Sequence, residues 1–290
     1  SWEADVVVIG AGAGGSATAT SLAERGLRVL VLESGSHWEP SDFQQDSAWA
    51  YRNLYEGRGT RTAVGNCVIP VPGGRGVGGS TLINSAICFR TPDKILNQWV
   101  TDYGCHRLSV DKMAPRLDRV WKTIGVTVNA VAFQKNNNLI FKEGADALGL
   151  PGSWLPRSAP GCIGCGVCQM GCPTGGKLSV DRSFFPIALK TGNVRIHANC
   201  RVGLVETEAG RVVSVSGDLI DPRDLKSKGS FVATAKSFVS CAGPIGTPRF
   251  LLGAGLADDR VVGQSLFIHP TSGQMGRFEQ EIRPWQGVTQ

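Results

Sequence analysis

Four of the nine cysteines lie close enough in sequence to converge on one small inorganic centre: Cys162, Cys165, Cys168 and Cys172. Their spacing, C-x2-C-x2-C-x3-C-P, is that of bacterial ferredoxin loops, whose thiolates bind an iron–sulfur cluster. In two-cluster ferredoxins the fourth cysteine of such a run serves the other cluster. Because this chain has a single run, a 4Fe-4S cluster would use Cys172 or a distant thiol such as Cys200. A 3Fe-4S cluster is the alternative.

Two other interpretations of the cysteine run stay open. Four thiolates could bind zinc, although zinc sites usually have two pairs of ligands separated by a longer insert. The loop could also hold no metal, with its cysteines free or in disulfides. The cysteine total is odd and the other five are dispersed, which is unlike a dense secreted disulfide framework. We therefore favour the iron–sulfur interpretation.

The amino-terminal residues have the pattern of a dinucleotide-binding unit. The apolar run Asp5–Ile9 leads into Gly10, Gly12 and Gly15, and a helical stretch and a second apolar strand follow. In such a G-x-G-x-x-G order, the glycines permit a tight turn, close approach of a pyrophosphate, and close packing of helix on strand. The diphosphate then lies at the helix N-terminus. Glu33 ends the second strand, where it would accept hydrogen bonds from a ribose and repel the 2′-phosphate of NADP.

A second glycine-rich segment, residues 74–79, repeats the G-x-G-x-x-G string. It could form a separate NAD site, but no strand–helix–strand unit ending in an acid follows it. We therefore expect its backbone to pack against the same cofactor as the first segment. The residues after it, Ser80–Phe89, are expected to be helical.

Two longer segments resemble the signatures of a known family. Residues 74–84, Gly-Arg-Gly-Val-Gly-Gly-Ser-Thr-Leu-Ile-Asn, are similar to the first signature of the glucose–methanol–choline (GMC) oxidoreductases, which are FAD-dependent enzymes that oxidise alcohols. Residues 243–256 resemble the second signature, with departures at Ala254 and Ala257, and Cys88 departs from the first. The resemblance covers essentially the whole chain. Within the family, the cysteine-rich middle segment is most similar to a branch with long-chain alcohol oxidases and related bacterial dehydrogenases.

The resemblance implies that the cofactor is FAD. The cofactor-binding residues expected in the first signature, along the pyrophosphate and the isoalloxazine, are Arg75, Gly78, Gly79, Ser80 and Asn84. Elsewhere, Val202 would present its backbone to the adenine, and Ala242 with Gly243 would close over the ADP part.

The family's catalytic histidine has no counterpart in this sequence. In the family that base, with a histidine or asparagine partner, lies in a carboxy-terminal segment of a much longer chain. The histidines present here are in other contexts: His37, His106, His197 and His269. We therefore expect the base on a part of the protein beyond this sequence, or on a second chain that carries the substrate domain.

The resemblance predicts oxidation of a small-molecule alcohol to an aldehyde or ketone by hydride transfer to the flavin. With a cluster, electrons would leave singly to an external acceptor such as a cytochrome, a quinone or a ferredoxin-like protein. Without it, oxygen would be the acceptor. An NAD-dependent oxidoreductase and a cofactor-carrying subunit of a split enzyme are the competing interpretations.

The expected fold is α/β. A three-layer, Rossmann-like FAD-binding domain would comprise residues 1–90 and 190–290, and residues 91–189 would form an insert that covers the flavin and carries the cysteine loop. Most of the substrate domain is expected outside this chain. Basic residues are scattered and the net charge is only +6, so nucleic-acid binding is not expected. No segment approaches the roughly 20 apolar residues of a membrane-spanning helix. The location, cytoplasmic or exported after folding, stays open.

Overall fold

The chain divides into two compact units, which are described separately. Unit 1 comprises residues 1–83, 169–173 and 180–281, and unit 2 comprises residues 84–168, 174–179 and 282–290. The computed structural model describes residues 1–268, 273 and 275–289. Among these, no helix is both long and apolar enough to cross a bilayer. The functional division expected from the sequence, with an insert at 91–189, remains a prediction.

The strands and helices alternate along the amino-terminal part of the chain and then give way to a run of long strands. The strands are β1 (Trp2–Ile9), β2 (Val29–Leu32), β3 (Thr62–Val64), β4 (Val68–Pro70), β5 (Thr127–Val128), β6 (Pro156–Arg157), β7 (Val194–His197), β8 (Cys200–Glu208), β9 (Arg211–Ile220) and β10 (Ser227–Ser240). The helices are α1 (Ala13–Ala23), α2 (Ser47–Leu54), α3 (Asp93–Tyr103), α4 (Val110–Thr123), α5 (Asn136–Ala147), α6 (Phe184–Lys190) and α7 (Gly243–Gly253).

A six-stranded sheet in the order β7-β2-β1-β10-β9-β8 forms the centre of unit 1. The strands β7, β2, β1 and β10 run parallel, whereas β10, β9 and β8 form an antiparallel meander. Parallel neighbours need a crossover connection, and α1 provides it between β1 and β2. This mixed sheet with helical crossovers is the α/β fold that the sequence predicts.

Alternating side chains of the buried strands supply two separate cores. Consecutive strand residues point to opposite faces of a sheet. Val29 and Val31 accordingly pack in the core that α1 and α6 cover, whereas Leu30 and Leu32 pack in the core on the other face. All four residues are at most 2% exposed, so β2 is buried on both sides, as parallel strands usually are.

Two predicted elements are wrong. The helix expected at Ser80–Phe89 is a single 3-10 turn, Gly79–Leu82, because the backbone soon reaches a positive φ of 63° at Ala86. The sequence pattern also predicts separate strands at Ser230–Thr234 and Lys236–Ser240, and these are one strand, β10. Its first part pairs with β9 and its last part with β1, so pairing with two partners keeps it extended throughout.

Unit 2 consists of α3, α4 and α5 together with the two-stranded pair β5-β6 and the cysteine-containing loop. The loop needs several glycines: Gly164 and Gly166 have φ values of 73° and 75°. The carboxy-terminal residues support the loop, since the Gly287 N–H donates to the Gly164 carbonyl at 3.0 Å. The large polar side chains Arg157 and Lys177 are buried in this unit at 1% and 2% exposure.

Candidate cofactor site

The predicted cofactor residues of unit 1 gather at the carboxyl edge of the parallel strands. Gly10 follows β1, Glu33 follows β2, and Ala242 and Gly243 come just after β10. The Cys241 N–H donates to the Ile9 carbonyl at 2.7 Å, which places the end of β10 beside the first glycine loop. Ligands of open α/β sheets bind outside the carboxyl ends of the strands.

The first glycine loop leaves no room for side chains at two positions. Gly10 has a φ of 105°, and a Cβ atom there would lie 2.5 Å from the Cys241 carbonyl oxygen. A Cβ at Gly15 would lie 3.0 Å from the carbonyl carbon of Gly10 and closer still to its oxygen. The glycines therefore bring the start of α1 against the ends of β1 and β10, as the sequence predicts.

The N-terminus of α1 can receive an anion. Its N-cap residue is Gly12, and no side chain of the described residues caps the first turn or places an acid within it. The first N–H groups of a helix have no partners within the helix, and the helix dipole favours negative charge at that end. These donors suit the diphosphate of a dinucleotide.

The second glycine segment packs against the first. The Gly78 N–H donates to the Ala11 carbonyl at 3.0 Å, and the Val77 N–H donates to the Ser36 carbonyl at 3.0 Å. At Gly79 a Cβ would lie 2.7 Å from the Cα of Gly12. The backbones of both segments therefore line one edge, without side chains between them.

Glu33 connects these loops through its buried carboxylate. Its Oε2 accepts from the Ala11 N–H at 2.9 Å, and its Oε1 accepts from the N–H groups of Gly35 at 2.8 Å and Gly76 at 3.2 Å. Burial raises the pKa of Glu33, and these backbone donors oppose that shift. A carboxylate has about four acceptor positions. Most of them serve backbone here, a role that sequence reasoning missed, and ribose binding stays a prediction.

Sequence comparison assigns the chain to a family. The profile described as GMC oxidoreductase matches residues 51–271, and the profile described as FAD dependent oxidoreductase matches residues 5–63. The chain belongs to the GMC oxidoreductase family. This confirms the family expected from the two signatures, but not the cysteine-containing branch within it.

Relatives of this GMC chain include a GMC-type oxidoreductase of Mycobacterium tuberculosis, 34% identical over 99% of the chain and 45% of the relative. A long-chain-alcohol oxidase of Arabidopsis thaliana is 30% identical over 94% of the chain and 37% of the relative. Among solved structures, pyridoxine 4-oxidase from Mesorbium loti has a TM-score of 0.66 at 21% identity, covering 87% of the chain and 52% of that structure. The chain therefore spans about half the length, or less, of these three proteins.

The described loops fit the FAD that the GMC family uses. A cofactor diphosphate needs N–H donors and a backbone free of side chains; the first turn of α1 provides the donors, and Gly12 and Gly79 provide the side-chain-free backbone beside it. The remaining predicted residues have local partners: the Arg75 Nη2 donates to the Ser34 carbonyl at 3.0 Å, and the Ser80 hydroxyl accepts from the Gly74 N–H at 2.9 Å. Their contacts with FAD stay predictions.

Val202, Gly243 and Asn84 are predicted cofactor residues with other local surroundings. Val202 is in β8 opposite Gly217 and packs against the second core. Gly243 begins α7 with a φ of 79°. Asn84 belongs to unit 2, where its side-chain oxygen accepts from the Ala86 N–H at 3.2 Å. The FAD roles of all three remain predictions.

The cysteine run does not form a metal site in the part of the chain that the structure describes. That part contains no group of three or more His, Cys, Asp or Glu side chains placed to hold a metal ion. Cys162, Cys165 and Cys168 belong to unit 2, and Cys172 belongs to unit 1. Because the described residues contain no such group, the donor set does not fit the predicted iron–sulfur cluster, which has no support from the geometry.

The structure describes three of the four histidines, and whether any of them acts as the base stays a matter of prediction. His197 stacks on Trp2 with ring centroids 4.2 Å apart, and burial lowers its pKa. His37 borders a cavity of about 200 Å³ whose other walls include Val77 and Phe185. His106 lies in a 3-10 turn of unit 2, and His269 lies outside the described residues.

Proposed function

We propose that this chain is the FAD-binding part of an oxidoreductase that converts an alcohol to an aldehyde or ketone by hydride transfer to the flavin. Membership in the GMC family and the relatives named long-chain-alcohol oxidases support the proposal. The main structural observation in its favour is that the two glycine segments pack together at the α1 N-terminus, where Gly79 lies against Gly12. The proposed substrate is an apolar primary alcohol, because those relatives are named for long-chain alcohols.

In this proposal the chain's own residues bind and orient the cofactor. Bound FAD supplies the hydride acceptor. The first-turn N–H groups of α1 hold the diphosphate, and the glycine backbones let it approach without a steric barrier. Glu33 fixes the distance between the two segments because it accepts from Ala11 and Gly76 together. That connection would keep the isoalloxazine in one orientation, which catalysis by proximity requires.

The base that removes the hydroxyl proton is proposed to lie outside the described residues. Among the described histidines, His197 stacks on Trp2, His106 lies in a 3-10 turn of unit 2, and His37 borders a cavity together with Val77; the proposal gives the role of base to none of them. A histidine on the remaining polypeptide, or on a partner chain carrying the substrate domain, would complete the site.

Oxygen is the proposed acceptor of the flavin's electrons. The alternative, electron exit through an iron–sulfur cluster to a cytochrome, quinone or ferredoxin-like protein, rests on the spacing of Cys162, Cys165, Cys168 and Cys172. Among the described residues those side chains do not gather into a metal site, so the proposed reaction does not use a cluster.

The experiment is anaerobic mixing of the full-length, FAD-loaded protein with primary alcohols of increasing chain length. We expect the absorbance of oxidised flavin to fall, and air to restore it with one peroxide formed per alcohol consumed. Glucose and choline serve as polar controls. Absence of bound FAD, or flavin that stays oxidised with every alcohol, would refute the proposal. Flavin that is reduced but not restored by air would refute oxygen as the acceptor.

A further inference from the structure

A buried guanidinium lies at the cysteine loop of unit 2. Arg157 is 1% exposed. Its Nε and Nη2 donate to the Ser85 carbonyl at 3.0 and 2.9 Å, its Nη1 donates to Asn129 Oδ1 at 2.9 Å, and its Nη2 also donates to the Thr289 hydroxyl at 3.2 Å. These acceptors are all neutral.

The other two partners of Arg157 are sulfur atoms. Its Nη1 lies 3.6 Å from the Sγ of Cys162, and its Nη2 lies 3.2 Å from the Sγ of Cys168. Within the described residues, no carboxylate accepts a hydrogen bond from this guanidinium. A buried charge without an opposite charge is costly. Of the groups in contact with Arg157, the two thiols are the ones that can be oxidised.

A second buried cation fixes one of the cysteines. Lys177 is 2% exposed, and its Nζ donates to the carbonyls of Cys168 and Asn84, both at 2.9 Å. On the other side, Cys162 Sγ accepts from the Gly164 N–H at 3.4 Å. The loop is thus held with both sulfurs directed at one guanidinium.

This arrangement disagrees with a metal cluster. A metal cation needs the sulfur lone pairs, and here those lone pairs accept hydrogen bonds from a positively charged group, which repels another cation. Arg157 contacts the sulfurs of both Cys162 and Cys168.

We propose that Cys162 and Cys168 form a metal-free dithiol site that hydrogen peroxide oxidises to a disulfide, with Arg157 as the residue that positions both sulfurs. The Cys168 sulfur attacks one peroxide oxygen, the O–O bond breaks, and a sulfenic acid and water form. The Cys162 sulfur then displaces the hydroxyl from sulfur, giving the S–S bond and a second water. Two thiols and one peroxide become one disulfide and two waters. The guanidinium stabilises the charge that develops during both steps.

Peroxide is the product of the proposed oxygen-dependent reaction, so only the source of the oxidant rests on the proposed function. Adding peroxide directly separates the two questions. If alcohols fail to reduce the flavin, the dithiol proposal is still tested in full by the added reagent.

The experiment begins with the metal content and thiol state of the full-length, FAD-loaded protein purified without oxygen. We expect no iron, acid-labile sulfide or zinc. Peroxide should then remove two hydrogens from the peptide that contains Cys162 and Cys168, and a reductant should restore them. Cys200 is the control, because it is a buried thiol at 3% exposure whose Sγ donates to the Ala198 carbonyl at 3.4 Å, and burial raises its pKa to about 11. It should remain a thiol.

The variants separate positioning from structure. Arg157→Lys keeps the positive charge but cannot contact the Cys162 and Cys168 sulfurs through two separate nitrogens. It should slow disulfide formation about tenfold. Arg157→Gln should slow it further. Cys162→Ser should stop the reaction at the Cys168 sulfenic acid, which decides the question even if an arginine variant does not fold. FAD content and the alkylation rate of exposed Cys67 should stay unchanged in variants that fold.

Three results would overturn the proposal. Iron with matching sulfide per FAD would establish a cluster instead. Oxidation of Cys200 at the same rate as Cys168 would show that Arg157 confers no reactivity. A disulfide rate in Arg157→Gln equal to that of the unmodified protein would remove the role given to the guanidinium.

Discussion

Adjacent glycines in α1 offer a sharp test of the packing at the cofactor site. Gly14 and Gly15 both lie in the first turns of α1. A Cβ at Gly14 would meet only the Cys241 Sγ, at 4.0 Å, which is ordinary contact. A Cβ at Gly15 would lie 3.0 Å from the Gly10 carbonyl carbon and closer to its oxygen. Alanine substitution therefore makes the same chemical change at two sites that differ only in what the methyl group meets.

The expected effects differ in sign. Alanine favours a helix over glycine by up to about 1 kcal/mol, so Gly14→Ala should leave the free energy of unfolding unchanged or raise it by that amount. Gly15→Ala has the same helical gain, but overpacking costs about 1–3 kcal/mol. The methyl group at position 15 would meet backbone atoms of Gly10, which cannot move aside as a flexible side chain can. We therefore expect a cost at the upper end of this range. We expect the two variants to differ by about 3 kcal/mol.

Urea denaturation gives the free energies of unfolding, and titration with FAD gives the affinities. We expect Gly14→Ala to bind FAD within a few-fold of the unmodified protein. Gly15→Ala should bind at least about tenfold more weakly, because the displaced loop carries the diphosphate donors. Equal unfolding free energies for the two variants would refute the close approach of α1 to Gly10.

Three further outcomes are expected. Glu33→Gln should lower the free energy of unfolding by about 1–3 kcal/mol and weaken FAD binding. The reason is that the amide NH2, itself a donor, would replace one oxygen that accepts from backbone N–H groups. An unchanged urea midpoint would contradict this prediction. Gly79→Ala should abolish FAD binding, because Gly79 has a φ of 53° and a Cβ there would reach the first glycine loop. Gly65 has open space around it, so Gly65→Ala should bind FAD normally in the same titration. Burial raises the pKa of Cys200 to about 11 from an ordinary value of 9, so the folded thiol stays neutral while the unfolded one ionises. Stability should be full below pH 9 and fall by about 2–3 kcal/mol as the pH rises to 11; Cys200→Ala should lack that loss in unfolding measured across this range.

The amino-terminal half of the sheet could be predicted because its signals are local. The apolar run before Gly10 and the glycine spacing after it describe a strand, a tight turn and a helix within a short stretch of sequence. The prediction of a helix at Ser80–Phe89 was wrong because Ala86, within that segment, has a positive φ, and an alanine gives no sign of this in the sequence. The length of β10 depends on two partner strands that are distant in sequence, β1 and β9.

The site residues divide in the same way. Glycines are recognisable because few other residues permit a positive φ, so Gly10 and Gly79 could be found from sequence alone. The connection made by Glu33 could not, because it links the loop after β1 to residue 76 through a hydrogen bond across 43 positions. The position of Arg157 could not be predicted from the sequence. The spacing of the cysteines indicates that their sulfurs lie close together, but it does not indicate that a cation contacts two of them.

The charges at the cofactor site explain why its donors are backbone groups. Burial raises the pKa of Glu33, which disfavours the charged form of this side chain, whereas a cofactor diphosphate is anionic. The N–H groups of Ala11, Gly35 and Gly76 point at the Glu33 carboxylate, and those of the α1 first turn point outward from Gly12. The nearby Arg75 guanidinium is directed at the Ser34 carbonyl. Fixed backbone dipoles thus serve both the Glu33 side chain and the proposed diphosphate, and they do so only while the glycine segments remain in contact, so we expect the shape of the site to depend on Glu33.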